Sequence, residues 1–170
     1  SQNIDETAAI AEMAHDAGIS CEGEIGFVGY ANGDNSTGTD PEEAARFARD
    51  SGVDAMAISC GNVHLQEDKQ GGLDVARIKA IEAVTELPLV IHGGSGVPVA
   101  QRAQLAAESR ICKFNIGTEL RMAFGQALRA AVTADATRFD RVQILRETAD
   151  PVKAAAMRVI SAFGAPDLRT

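Results

Sequence analysis

"TDPEEAARFARDSGVDAMAISCG", Thr39 to Gly61, contains one complete structural unit and decides how the rest of the chain is read. Asp40 is placed to cap a helix, Pro41 to open it, Glu43 to close a capping box and Gly52 to end it. "DAMAISCG", residues 54–61, follows at once as a short apolar run, the mark of a buried strand.

The same helix-then-strand unit recurs on both sides. Upstream, Ile10, Met13, Ala14 and Ala17 repeat at helical spacing and Gly18 stops the helix. "ISCEGEIGFV", Ile19 to about Val28, reads as a strand, and a Gly/Asn/Ser-rich loop runs from Gly29 to Thr39. Downstream, Asp74 caps a helix carrying Val75, Ile78 and Ile81, and Pro88 opens the strand "PLVIHG". A helix is predicted over Val99 to Ser109 and a strand, "ICKFNIG", over 111–117. Thr118 is expected to cap a helix with Leu120, Phe124, Leu128 and Ala131 on one face. A last helix is predicted from Asp150-Pro151 to near Gly164. Strands alternating with helices give a parallel sheet covered by helices. This pattern fits a doubly wound sheet, or half of a (β/α)8 TIM barrel, which takes about 250 residues.

The 170 residues are 45% hydrophobic but only 4% aromatic, with 16 glycines, a composition common in α/β enzymes. A net charge of −8 recommends neither a nucleic acid nor a membrane surface as partner, since both require clustered basic residues. Cys21, Cys60 and Cys112 are far apart and lie in apolar runs, so they read as reduced core residues of a cytoplasmic protein. No signal peptide or membrane-length apolar run is visible, and the start without Met places the expected true N-terminus upstream.

In parallel α/β folds the site lies at the carboxyl ends of the strands. The first such end carries Glu22 and Glu24, two apart and so on one face. The second leads to His64, the third is His92-Gly93-Gly94-Ser95-Gly96 and the fourth is Asn115-Ile116-Gly117-Thr118. His64 and His92 are candidate metal ligands, or else loop histidines bonded to backbone. Gly93, Gly94 and Ser95, with Asn115 to Thr118 at a helix N-terminus, offer N–H donors for a phosphate. Glu22 is either catalytic or the partner of Lys113, which shares a face with Asn115; Glu24, nearer the strand end, suits a metal site. His15 ends a helix that precedes a strand, which puts it at the opposite end of the sheet, beside the helix dipole.

Together these segments resemble the class II, metal-dependent ketose-bisphosphate aldolases of the fructose and tagatose type. "CEGEIG" is similar to the family's E-x-E-[LI]-G strand, and Thr39 to His64 to its T-D-P…G-V-D…G-x-x-H segment. "LDVARIKAI", "PLVIHGGSGVP" and "CKFNIGTELRMAF" complete the resemblance, in order, over essentially the whole chain. It implies that residues 1–170 are the C-terminal half of one TIM-barrel domain: its last four β/α units plus a C-terminal helix. It also implies that His64 and His92 are two of three Zn2+ ligands, with another divalent ion as alternative and a monovalent cation as a further candidate. Gly93 to Ser95 and Asn115 to Thr118 would hold a dihydroxyacetone-phosphate end, Asn115 would contact the reacting ketone, and Glu24 would be the carboxylate near the metal.

The implied reaction is reversible aldol cleavage of a ketose 1,6-bisphosphate to dihydroxyacetone phosphate and an aldehyde phosphate. The third ligand and the base are expected in an upstream H-D-H-G-type segment, so these residues need the upstream barrel half, and a homodimer or homotetramer is expected. Leu65 replaces the family's usual Gly, the loop "LQEDKQGG" lacks its usual aromatic, and Ser109-Arg110 replaces a customary Gly, departures that bear on substrate identity. The rival readings are a metal-free phosphosugar isomerase or synthase on the same barrel, and a non-catalytic phosphosugar-binding relative or accessory subunit.

Overall fold

The structure is a computed structural model; it describes residues 1–27, 29–30, 38–61, 63–64 and 72–164, with 29–30 and 63–64 as backbone. The chain divides into two compact units, Ser1–Asn115 and Ile116–Thr170.

The first unit runs α1 (Gln2–Asp16), β1 (Glu22–Ile25), β2 (Gly29–Tyr30), α2 (Pro41–Asp50), β3 (Ala55–Ile58), β4 (Val63–His64), α3 (Val75–Glu82), β5 (Leu89–Ile91), a 3-10 turn (Gly94–Gly96), α4 (Val99–Glu108) and β6 (Ile111–Phe114). Four strands form a parallel sheet in the order β1-β3-β5-β6, and β2 pairs with β4 in a second, two-stranded parallel ladder. The capping chemistry is as the residue types demand. Asp40 Oδ1 accepts the N–H groups of Glu42 and Glu43 at 2.9 and 3.1 Å, and Asp74 Oδ1 accepts that of Arg77 at 2.9 Å.

The register separates the faces of the sheet. Ile25, Met56, Ile58, Leu89 and Ile91 point to one face and join Ala44 and Phe47 of α2, Ile78 and Ile81 of α3 and Leu105 of α4 in the core. Each of the Ile, Leu, Met and Phe side chains contributes about 1.5–3 kcal/mol on full burial. Glu22, Glu24, Ala57, Val90 and Lys113 share the other face. A doubly wound sheet has helices on both faces; here α1 to α4 all pack into the core on one face, as the helices of a barrel do.

Three local expectations are corrected in the first unit. The buried stripe of α1 is not Ile10 and Met13, which are 58% and 67% exposed, but Ile4 and Ala11, at 6% and 1%. The helix comes so close to the sheet that a Cβ on Gly23 would meet Thr7 Cγ2 at 3.0 Å, so its inner face favours small side chains. Cys60 is a core residue, with burial pushing its thiol up to about 12, but Cys112 is exposed. Leu89 pairs with Ile111 and Val90 with Lys113, which leaves Cys112 as the extra residue of a bulge on an edge strand. The first strand is shorter than expected, starting at Glu22, and its expected end at Val28 lies outside the described residues.

The second unit is a helical hairpin of α5 (Thr118–Ala134) and α6 (Arg141–Ala162). Gly117, not Thr118, occupies the cap position of α5, with no side-chain cap bond. Pro151 lies inside α6 and does not begin it. Asp140 starts the helix, its Oδ1 accepting the Val142 N–H at 2.9 Å. An interior proline removes one backbone bond, and here α6 runs through it packed along α5, burying Thr148 and Ala155.

Candidate active site

His92 follows β5 directly and lies two residues beyond Val90, so it extends the face of the sheet opposite to that on which α1 to α4 pack. Its Nε2 is 3.4 Å from Glu22 Oε1 and its Nδ1 3.6 Å from Glu24 Oε1, so the ring stands between two carboxylates of β1. Glu22 uses its second oxygen as well: Oε2 accepts Lys113 Nζ at 2.7 Å. The ion pair inferred from strand faces is therefore present, and Glu22 also reaches His92. Partial burial works against ionising Glu22, but the hydrogen bonds from Lys113 and His92 outweigh it and hold the carboxyl below its ordinary range.

The glycine turn begins at the next residue. Gly93 has φ +63°, a left-handed backbone that a side chain would strain, and it starts the 3-10 turn whose Gly94, Ser95 and Gly96 are buried. Asn115 is stitched to this turn. Its N–H donates to Ile91 C=O at 2.8 Å and its C=O accepts the Gly94 N–H at 3.1 Å. The Gly94 N–H thus holds Asn115 in place, next to the histidine that follows β5. Ile116, Gly117 and Thr118 belong to the second unit, where Gly117 C=O accepts the Arg121 N–H at 2.9 Å in the first turn of α5.

His64 lies on β4, opposite Tyr30 of β2. Residues of β4 lie within 8 Å, Cα to Cα, of residues of the glycine turn, so the backbone of this element neighbours the candidate anion cradle. The side chain of His64, and Leu65 with the loop that follows, lie outside the described residues. His15 is elsewhere. It sits in the last turn of α1 and its Nε2 is 2.9 Å from Asp54 Oδ2, at the amino ends of the strands.

Several supporting residues were not singled out from the sequence. The buried Thr39 hydroxyl donates to Ile25 C=O at 2.8 Å and accepts the Ser59 N–H at 2.9 Å, tying the carboxyl ends of β1 and β3 together. Arg77 Nη1 donates to Thr39 C=O at 2.9 Å, with its guanidinium against Gly38. Gln101 Oε1 accepts the Leu73 N–H at 2.8 Å and its Nε2 donates to Leu73 C=O at 3.0 Å, anchoring the end of the segment that follows β4. The T-D-P tripeptide marks the position of the first, but neither its capping role nor its resemblance to the family segment reveals the bond from the Thr39 hydroxyl to β1.

The donor set fits a metal in part. An imidazole backed by carboxylates is the combination that binds Zn2+ and orients its ligand, and His92 with Glu22 and Glu24 supplies it. Among the described residues no group of three His, Cys, Asp or Glu side chains is set to hold a metal ion, so His92 would be one ligand of a set completed elsewhere.

A family model described as Fructose-bisphosphate aldolase class-II matches residues 1–167. The chain is 32% identical over 167 residues to a fructose-bisphosphate aldolase of Geobacillus stearothermophilus, covering 96% of this chain and 58% of that protein. It is 35% identical over 167 residues to a 6-phospho-5-dehydro-2-deoxy-D-gluconate aldolase of Shouchella clausii (strain KSM-K16), covering 96% of this chain and 57% of that protein. Among solved structures, the YdjI aldolase of Escherichia coli K12 superposes with a TM-score of 0.73 at 32% identity, over 96% of this chain and 55% of that chain. Fructose-bisphosphate aldolase of Campylobacter jejuni has a TM-score of 0.73 at 18% identity, over 96% and 57% of the two chains, and shares the fold. The chain spans somewhat more than half the length of these relatives.

Proposed function

The chain belongs to the class II fructose-bisphosphate aldolase family, and from that premise we propose that it supplies the C-terminal half of a TIM-barrel aldolase. The reaction is the reversible aldol cleavage of a phosphorylated ketose to dihydroxyacetone phosphate and an aldehyde. The observation that carries this reading is the place of His92, just past β5, between Glu22 and Glu24 of β1 and one residue before the glycine turn.

His92 and His64 would hold Zn2+, which when bound would polarise the substrate carbonyl as a Lewis acid. The chain's own residues bind and orient. Gly93 and Ser95 face the phosphate with backbone and hydroxyl, while Gly94 leaves room and fixes Asn115. Asn115, held by its backbone beside the glycine turn, would donate its side-chain amide to the oxygen on the reacting carbon. Ile116, Gly117 and Thr118 enter as further phosphate donors from the sequence resemblance alone. Glu24 serves as the carboxylate beside His92. The remaining ligand and the base belong to the other half of the barrel, and a homodimer or homotetramer is part of the same proposal.

Two substrate classes are supported by relatives. One is the fructose bisphosphate named for one relative, to which the sequence resemblance alone adds tagatose 1,6-bisphosphate, and the other is 6-phospho-5-dehydro-2-deoxy-D-gluconate. Both carry a ketone next to a phosphorylated carbon, which is the part these residues would hold. The test is turnover of each by the intact protein, with dihydroxyacetone phosphate trapped by a coupled reductase, together with the metal content of His92→Ala. Turnover of none of them, or full metal stoichiometry in His92→Ala, would remove the reading.

A further inference from the structure

We infer that Glu22 and Lys113 are positioning residues that fix the tautomer of His92, with the proton on Nε2 and the lone pair on Nδ1; this rests on the reading of His92 as a metal ligand. The two carboxylates beside the ring are not equivalent. Glu22 Oε1 lies 3.4 Å from Nε2 with hydrogen-bond geometry. Glu24 Oε1 lies 3.6 Å from Nδ1, beyond hydrogen-bond range. A neutral imidazole has one N–H, and the carboxylate that accepts it selects which nitrogen presents electrons to a metal.

Lys113 completes the device. Its ammonium takes Glu22 Oε2 at 2.7 Å, so the two oxygens of one carboxylate are divided between an ammonium and an imidazole. This sets the rotation of the carboxylate. Glu22 and Lys113 stand on strands of one sheet, and His92 is the first residue after a third, so two of the three groups are held by backbone ladders and the third directly adjoins one. The metal side of the ring is then the Nδ1 side, where Glu24 stands. Glu22, although nearer to the ring, acts from behind it.

The test uses the intact protein. Spectra of 15N-histidine-labelled, metal-free protein at alkaline pH, with the His92 signal identified by its loss in His92→Ala, are expected to show the Nε2–H tautomer. Glu22→Ala is expected to move the signal towards a tautomer mixture and to raise the Zn2+ dissociation constant, measured against a chromophoric chelator, by about 10–100-fold. Lys113→Met should move both in the same direction by less, and Lys113→Arg should restore both; the lysine variants carry the test if Glu22→Ala does not fold. An Nδ1–H tautomer in the unsubstituted protein, or an unchanged tautomer and dissociation constant in Glu22→Ala and Lys113→Met, overturns the inference. If His92→Ala retains its metal, the ligand reading itself fails. Metal loss in His92→Ala with no effect of the Glu22 and Lys113 substitutions refutes the positioning role alone.

Discussion

Lys113 Nζ meets Glu22 Oε2 at 2.7 Å although β6 and β1 are the two outer strands of the four-stranded sheet. In a flat sheet these strands would stand about 14 Å apart, at three interstrand spacings. Two side chains rising from the same face would then run side by side. That their tips meet means the face is concave, and the ion pair is a chord across it.

The chord is half open to solvent, with Lys113 51% exposed, so its contribution to stability is small. A double-mutant cycle of Glu22→Gln and Lys113→Met, read by denaturant unfolding, should give a coupling of about 0.5–1 kcal/mol. A coupling indistinguishable from zero would show that the pair adds nothing to stability.

Gly23 is enclosed on the helix side of β1. A Cβ there would lie 2.8 Å from Phe47 Cζ and 2.9 Å from Val53 Cγ1, and both neighbours are themselves buried. Gly23→Ala should destabilise the protein by about 1–3 kcal/mol through overpacking. A melting temperature equal to that of the unsubstituted protein would show that α1 and α2 can retreat from the sheet at no cost.

Asp54 joins the amino ends of two strands to α1. Its Oδ2 accepts the Cys21 N–H at 2.7 Å and lies 2.9 Å from His15 Nε2. The backbone bond from Cys21, and after it the one from His15, hold this carboxyl below its usual range. A depressed folded-state value stabilises above the unfolded-state value of about 3.9, and that contribution is lost as pH falls through the folded-state value. Asp54→Asn should therefore lower the melting temperature at neutral pH, and the gap to the unsubstituted protein should close in acid below about pH 3.9. A gap that persists undiminished in acid would refute the charge-based account.

Ser95 and Asn115 should separate kinetically. Ser95→Ala removes a hydroxyl proposed to touch a phosphate that does not react, so it should mainly raise KM. Asn115→Ala removes a donor to the reacting oxygen, so it should mainly lower kcat, because interactions that strengthen in the transition state appear in the rate. The opposite pattern in steady-state kinetics would exchange their roles.

The helix and strand order was legible because capping and burial are local signals. Asp40, Pro41 and Asp74 declare helix starts wherever they stand, and Met56 to Ile58 can only be a buried strand. Which face of α1 turns inward was not legible, since Ile4, Thr7 and Ala11 form as good a helical stripe as Ile10, Met13 and Ala17. The choice is made by the closeness of Gly23, a tertiary fact. Pro151 misled for the same reason: its local preference is to begin a helix, and packing along α5 overrides it. At the site, the Lys113–Glu22 pair could be read from alternation along strands, but the carboxylate's second bond to His92 could not, because it depends on the curvature of the sheet. Thr39 and Gln101 went unnoticed because a buried hydroxyl and a carboxamide that clasps backbone look like ordinary polar residues until their partners are known.

The bulge at Cys112 works like a reading-frame shift for side chains. With unbroken pairing, Cys112 would stand beside Val90 and Lys113 beside Ile91, so the ammonium would be sent into the core and the thiol to the concave side. One uncounted residue reverses those addresses and delivers both Lys113 and, two positions on, Asn115 to the side where His92 stands. Removing Cys112 from the chain would thus do more than delete a thiol: it would either exile the lysine from Glu22 or drag all of β6 one step along its neighbour. Replacing Cys112 with serine would leave the frame untouched.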